Sequence, residues 1–309
     1  MNIPQHLAYL AVFVGVLGHS STEFFAVLSG VAGPEVSVWR YVIGGAGFLV
    51  LAMLISGPSK LSAPLRTHSW QLIWYSLIGV TGAYLAFHWA LDFASVIQVA
   101  TLVTTIPIFI GLANLLINKQ PLTTPKIVTG LCAITGLVLL ITDGALDKLQ
   151  GDSDSLFGIF LGVTCAACVA YYAVKVKPII IQYGALPVTA VSMIIGAIGL
   201  WICVGLAWSL WVNPLDLFDR PVVAWSSLLT LGIWNTTITQ VLWIGGLAAA
   251  ADITRAGYIF FLKPVIAACL AIMILNESLS VLQAFAIVVV TGSVVFELFW
   301  PRIKTLSKR

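Results

Sequence analysis

The chain has 309 residues, 60% of them hydrophobic and only 9% charged, and its mean hydropathy is +1.04. So apolar a composition leaves no polar stretch long enough to enclose a separate water-soluble core. The net charge of +3 comes largely from Arg302, Lys304, Lys308 and Arg309 at the C-terminus, a placement that marks membrane orientation and argues against a nucleic-acid partner.

Ten apolar stretches of about twenty residues are predicted as transmembrane helices. They lie at 7–27, 36–55, 70–91, 95–117, 126–143, 157–174, 186–212, 222–246, 253–275 and 282–299. The first lacks a basic flank and is too long for the apolar core of a cleaved leader, so it is read as a retained span. Helices are required because lipid offers no partner to an exposed amide, and no barrel-type alternation is present. Turns such as Gly33-Pro34, Gly57-Pro58, Gln120-Pro121 and Asn213-Pro214 mark the joints. Lys60, Arg66, Lys119, Lys126, Lys175, Lys177 and Arg255 fall on the same side as the C-terminal cluster, which predicts that both termini are cytoplasmic in a plasma membrane.

In chain order, the first candidates are His19 and Glu23, four apart on one helix face, where a buried carboxyl beside an imidazole can carry a proton. The alternative pairs Glu23 with Arg40 at the start of span 2, as a gate or a structural tie. Gly44, Gly45 and Gly47 predict close helix packing. Tyr84 and His88 share a face of span 3 and are candidate substrate contacts, while neighbouring Trp89 suits an interfacial belt. Pro107 is a predicted helix break in span 4. The five cysteines lie in apolar runs, so neither a disulfide framework nor a metal site is expected, and no cofactor is implied.

Span 8 places Trp234, Asn235, Thr236, Thr237, Thr239 and Gln240 at mid-membrane, too many hydrogen-bonding groups for a lipid-facing surface. They line a cavity, with Trp234 and Asn235 as contacts, or they bond between helices. Tyr258 is a further candidate contact. Lys263 lies near the middle of span 9, where a charge costs about 2.5–3.5 kcal/mol on insertion scales. It binds an anionic group of a substrate or sits in an internal ion pair. Pro264 beside it is a second break, expected to free the Phe260 carbonyl.

The stretch from Leu91 to Thr123 aligns without gaps with that from Ala248 to Ser280, bringing Pro107 onto Pro264. Five spans per half is odd, so residues 1–145 and 146–309 would be inverted repeats, an arrangement of secondary transporters.

Leu262, Pro264 and Val265, the run Ala268 to Gln283 with its Glu277-Ser-Leu, Ala90-Leu91, Pro107-Ile108-Phe109, Gly130 with Gly136, and Trp39-Arg40-Tyr41 together resemble the ten-helix EamA group of the drug/metabolite transporter superfamily. The resemblance covers nearly the whole chain. It implies an all-α membrane fold of two inverted five-helix repeats around a central cavity, with amino acids, other metabolites or drugs as substrates, often exported. Lys263 stands where a Glu or small residue is usual, and Lys119-Gln120 replaces the usual Glu of the first turn.

The expected function is secondary transport, by alternating access, of a small polar or amphipathic metabolite such as an amino acid or organic anion, with export as the direction and protons as a candidate coupling ion. Import of an organic anion bound at Lys263 is the alternative. A membrane enzyme or a channel is the reading from another class, opposed by the lack of HExxH, GxSxG and phosphate-loop motifs and of a filter repeat. A monomer or homodimer in the bilayer is expected.

Overall fold

In hydrocarbon the backbone has to satisfy its own hydrogen bonds, and every regular element among the described residues is helical. The computed structural model describes residues 3–94, 99, 102–142, 153–263, 265–266 and 280–306. The helices are α1 (Ala8–His19), α2 (Thr22–Leu28), α3 (Gly33–Ser56), α4 (Pro58–Ser76), α5 (Ala83–Ala90), α6 (Ile106–Asn118), α7 (Thr124–Thr142), α8 (Ser153–Tyr183), α9 (Ala185–Trp208), α10 (Val222–Gly232), α11 (Thr239–Ala249), α12 (Ile253–Gly257) and α13 (Val281–Leu306). A π turn at Leu77–Gly82 joins α4 to α5, another at Ile233–Ile238 joins α10 to α11, and a 3-10 turn at Tyr258–Leu262 follows α12.

The surface is inverted relative to a soluble protein. Leu54, Trp70 and Leu206 are 80%, 75% and 73% exposed, whereas Glu23, Arg40, Asn235 and Lys263 are buried. That distribution suits a molecule whose solvent is lipid. Four of the helical stretches, Gln5–Leu28, Gly33–Ser56, Leu156–Tyr183 and Ala185–Trp208, are long and apolar enough to cross a bilayer by length and composition.

Several boundaries differ from those expected. Span 1 is broken at Ser20 and Ser21, whose hydroxyls bond back to the Val16 and Gly18 carbonyls and compete with helix continuation. Helix α4 starts at Pro58, well before the apolar run, because Gly57 at φ 79° and a proline in the first turn start a helix in polar residues that hydropathy does not register. Helix α8 runs through Pro178 to Tyr183, past the apolar segment ending at 174.

The strongest packing joins α3 to α9, α7 to α13, α1 to α11, and α5 to α8. Where α3 meets the second π turn, a Cβ on Gly44 would lie 2.6 Å from Thr236 Cγ2, and one on Gly47 would lie 2.4 Å from Thr237 Oγ1. Where α9 meets the first π turn, a Cβ on Gly196 would lie 2.2 Å from Val80 Cγ1, and one on Gly199 would lie 2.3 Å from Thr81 Oγ1. Thr237 donates to the Gly44 carbonyl at 3.1 Å, and Thr81 donates to the Gly196 carbonyl at 3.0 Å. The same clasp of a glycine pair, a π turn and a threonine thus occurs once in each direction between the two halves of the chain. The glycines permit close backbone approach, as expected for Gly44 and Gly47.

Thr81→Val and Thr237→Val should each lower stability by about 1 kcal/mol, the value of one net hydrogen bond. Gly196→Ala and Gly44→Ala should cost more, about 1–3 kcal/mol, through overpacking. Unfolding of the detergent-solubilised protein measures both.

Candidate functional site

The break in span 1 opens the site. With Ser20 and Ser21 out of the helix, the Gly18 carbonyl accepts from Ser21 Oγ at 3.1 Å and from Asn235 Nδ2 at 2.6 Å, and Asn235 Nδ2 also lies 3.0 Å from Ser21 Oγ. Asn235 sits in the π turn of span 8, so the two irregular segments complete each other. The restart at Thr22 puts Glu23 in the first turn of α2, 2% exposed.

Glu23 forms an ion pair with Lys263, which is 3% exposed. The expected alternative partner, Arg40, is not the one the structure gives it. Lys263 follows the 3-10 turn, and its N–H bonds the Phe260 carbonyl. That carbonyl is therefore occupied, contrary to the expectation that Pro264 frees it, because the chain tightens to i→i+3 bonding here. Pro264 itself lies outside the described residues. The Lys263 ammonium stands 5.7 Å from the Phe87 ring centroid and 5.9 Å from that of Phe260.

Arg40 is 1% exposed and is held by neutral groups: Nε donates to Thr236 Oγ1 at 2.7 Å, Nη2 to the Asn235 carbonyl at 3.4 Å, and Nη1 lies 3.3 Å from His88 Nε2. A guanidinium has only donors, so His88 Nε2 accepts, and its Nδ1–H points at the Tyr84 carbonyl 3.0 Å away. The Tyr41 and Tyr84 rings each lie 5.5 Å from the Arg40 Cζ.

Between these groups lies a small cavity of about 30 Å³, lined by Arg40, Lys263, His19, Tyr84, Phe87 and Trp243, with Thr22, Val103, Ile106, Cys165, Val169 and Phe260. His19 stacks edge-on against Trp243 and Phe260, both at 5.7 Å, and its Nε2 has no hydrogen-bond partner. The same holds for Thr22 Oγ1 and Trp243 Nε1. Unpaired buried polar atoms around one space are uncommon in a native interior, and these three can bond to a water or another polar group there.

Of the sequence candidates, Lys263, Arg40, His19 and Tyr84 line this space, while Glu23, His88 and Asn235 stand directly behind it. Trp234 does not join them: it is 40% exposed, because the extra residue in the π turn rotates it outward while Asn235 and Thr236 stay inward. Tyr258 is buried elsewhere, with its hydroxyl 2.8 Å from the Lys126 carbonyl. Pro107 sits in the first turn of α6, just after a break at Thr105. Trp243, Phe87 and Phe260 were not singled out in the sequence, where an apolar span hides them. For Trp243 the available signal is its place one turn from Thr239 and Gln240 on α11.

On the side carrying most lysines, Lys126 bridges Asp252 at 2.7 Å, and Lys177 donates to the Ala250 carbonyl at 3.2 Å. Burial alone would raise the Asp252 carboxyl, but Lys126 and the Arg255 amide hold it below the usual carboxylate value.

Residues 6–142 and 156–299 each match the model of the EamA-like transporter family. The uncharacterized transporter YyaM of Bacillus subtilis (strain 168) is 24% identical over 269 residues, 86% of this chain and 84% of its own. An uncharacterized transporter of Archaeoglobus fulgidus is 26% identical over 218 residues, 70% of this chain and 72% of its own. A solved crystal structure superposes with a TM-score of 0.79 over 96% of this chain and 98% of its own, and at 20% identity that likeness shows the fold.

Lys263→Met should lower stability by about 3–5 kcal/mol, because it leaves Glu23 charged and unpaired in a buried site, and Glu23→Gln added to it should restore most of the loss. A double-mutant cycle on thermal unfolding reads the coupling, and additive losses would contradict the pairing.

Proposed function

Because this chain belongs to the EamA-like transporter family and is an integral membrane transporter, we propose that it is a secondary transporter that carries a small polar or amphipathic metabolite by alternating access. Ten spans forming two inverted five-helix repeats, 1–145 and 146–309, belong to this proposal. The support is that the family model matches twice and that the glycine–threonine clasp occurs once in each direction. The contact of α1 with α11 also has a counterpart in that of α8 with α5. Export is the direction the family resemblance implies.

The observation that carries the reading is the small cavity lined by two cations. At about 30 Å³ it holds a water or two, whereas small-molecule sites are roughly 300–1,000 Å³. A metabolite therefore enters only when the surrounding helices move apart, as an occluded state of a carrier requires. Lys263 and Tyr84 face the space where substrate would sit. Glu23 serves as the coupling group: taking up a proton removes the charge that holds Lys263, and losing it restores the pair. His19, which also lines the cavity, is the group through which that proton passes.

In proteoliposomes the protein should move labelled small organic acids or amino acids, and an imposed pH gradient should drive accumulation. Glu23→Gln should keep the fold and lose the response to the gradient, and unchanged pH dependence in that variant would leave Glu23 as a fixed partner of Lys263. Tags at Met1 and Arg309 should both be reached only from the cytoplasmic side of the plasma membrane. Termini on opposite faces would reject the ten-span repeat.

A further inference from the structure

Among the described residues the central cluster holds an unmatched charge. Glu23 and Lys263 neutralise each other, and no acid lies within ion-pair distance of Arg40 among the described residues, where its partners are a hydroxyl, an imidazole and a carbonyl. An arginine cannot shed its proton to escape this. Burying a lone charge is costly, and a site that keeps one is balanced by something that arrives.

The geometry says what arrives. Of the five N–H donors of a guanidinium, the three bonds to Thr236, His88 and Asn235 leave one N–H on each terminal nitrogen. With a donor left on each terminal nitrogen, the guanidinium can still take a carboxylate, the anion it pairs with in two-point fashion. Among the described residues no carboxylate lines the cavity, and beside Lys263, His19, Thr22 and Cys165 the greater part of its wall is aromatic or aliphatic, with Tyr84, Phe87, Trp243, Phe260, Val103 and Ile106. Resting on the transport reading above, we propose that Arg40 is the carboxylate-binding residue of the central cavity and that the substrate is a monoanionic carboxylic or 2-oxo acid with a compact aromatic or branched apolar body. One negative charge neutralises the cluster, whereas a zwitterion leaves it positive and an amine adds to the excess. Arg40, which the sequence suggested as a gate, thereby takes the anion-binding part suggested for Lys263, whose charge is already spent on Glu23.

Binding of phenylpyruvate, phenylacetate and 4-methyl-2-oxopentanoate, set against uncharged phenylacetamide and cationic phenethylamine, tests this by calorimetry and thermal shift on the purified full chain. The wild type should bind the acids and be stabilised by them, and should ignore the amide and the amine. Arg40→Gln should weaken acid binding at least about 30-fold, as expected for loss of one partner of a buried hydrogen-bonded charge pair. Arg40→Lys should keep the preference for acids over the amide with reduced affinity, and Lys60→Gln at the surface should match the wild type. The proposal is overturned if the wild type fails to bind any of the acids, or if the amide or amine binds as well as they do. It is also overturned if folded Arg40→Gln retains full affinity. Because binding is read without flux, acids that bind but do not cross proteoliposome membranes would reject transport and leave this site standing. Flux of an amine that the acids do not inhibit would do the reverse.

Discussion

The hydrocarbon interior supplies no hydrogen bonds, so each departure from regular helix has to be repaired by another part of the protein. That constraint organises the centre of the molecule. The span 1 break at Ser20 and Ser21 is repaired partly by its own hydroxyls and partly by Asn235, which belongs to the π turn of span 8. The π turn in its turn gives the hydroxyls of Thr236 and Thr237 to the Leu231 and Gly232 carbonyls at the end of α10. The irregular segments form one connected set, and a shift in any of them changes the bonding of the others.

On this set the charges are placed. Lys263, Glu23 and Arg40 come from the end of the 3-10 turn, from α2 and from α3; the break and the turns bring Glu23 onto Lys263 and set Lys263 and Arg40 on one cavity. Attraction between opposite charges is many times stronger in such surroundings than in water, which is why a buried pair holds a conformation and why releasing it frees one. Aromatic faces around Lys263 and Arg40 lessen the desolvation of each cation without neutralising it.

Much of this could be read before the structure. A polar or ionisable residue inside an apolar run is costly enough to announce itself, and His19, Glu23, Arg40, Tyr84 and Lys263 were all legible on that ground. Their pairing was not. Sequence gives a residue's depth along its helix, but which way it faces depends on how each break and each π turn rotates the next stretch of helix. Glu23 was therefore open to pairing with Arg40, and Trp234 was placed inward although the turn swings it out. The helical class and four of the apolar spans were plain, whereas the polar start of α4 and the extension of α8 fall where hydropathy carries no signal. Phe87, Phe260 and Trp243 are apolar among apolar neighbours, so their role at the cavity emerges only from the packing.

The clasp between each glycine pair and the facing π turn has an acceptor in the main chain: the Gly44 carbonyl for Thr237, the Gly196 carbonyl for Thr81. A backbone oxygen is present whatever residue carries it, so the joint asks only for a hydroxyl on one side and room on the other. Val80 stands against Gly196 where Thr236 stands against Gly44, so the two joints keep the same fit with different side chains. What defines such a joint is a steric imprint, two missing side chains facing one hydroxyl, and any substitution that leaves that imprint in place should leave the two helices seated as before.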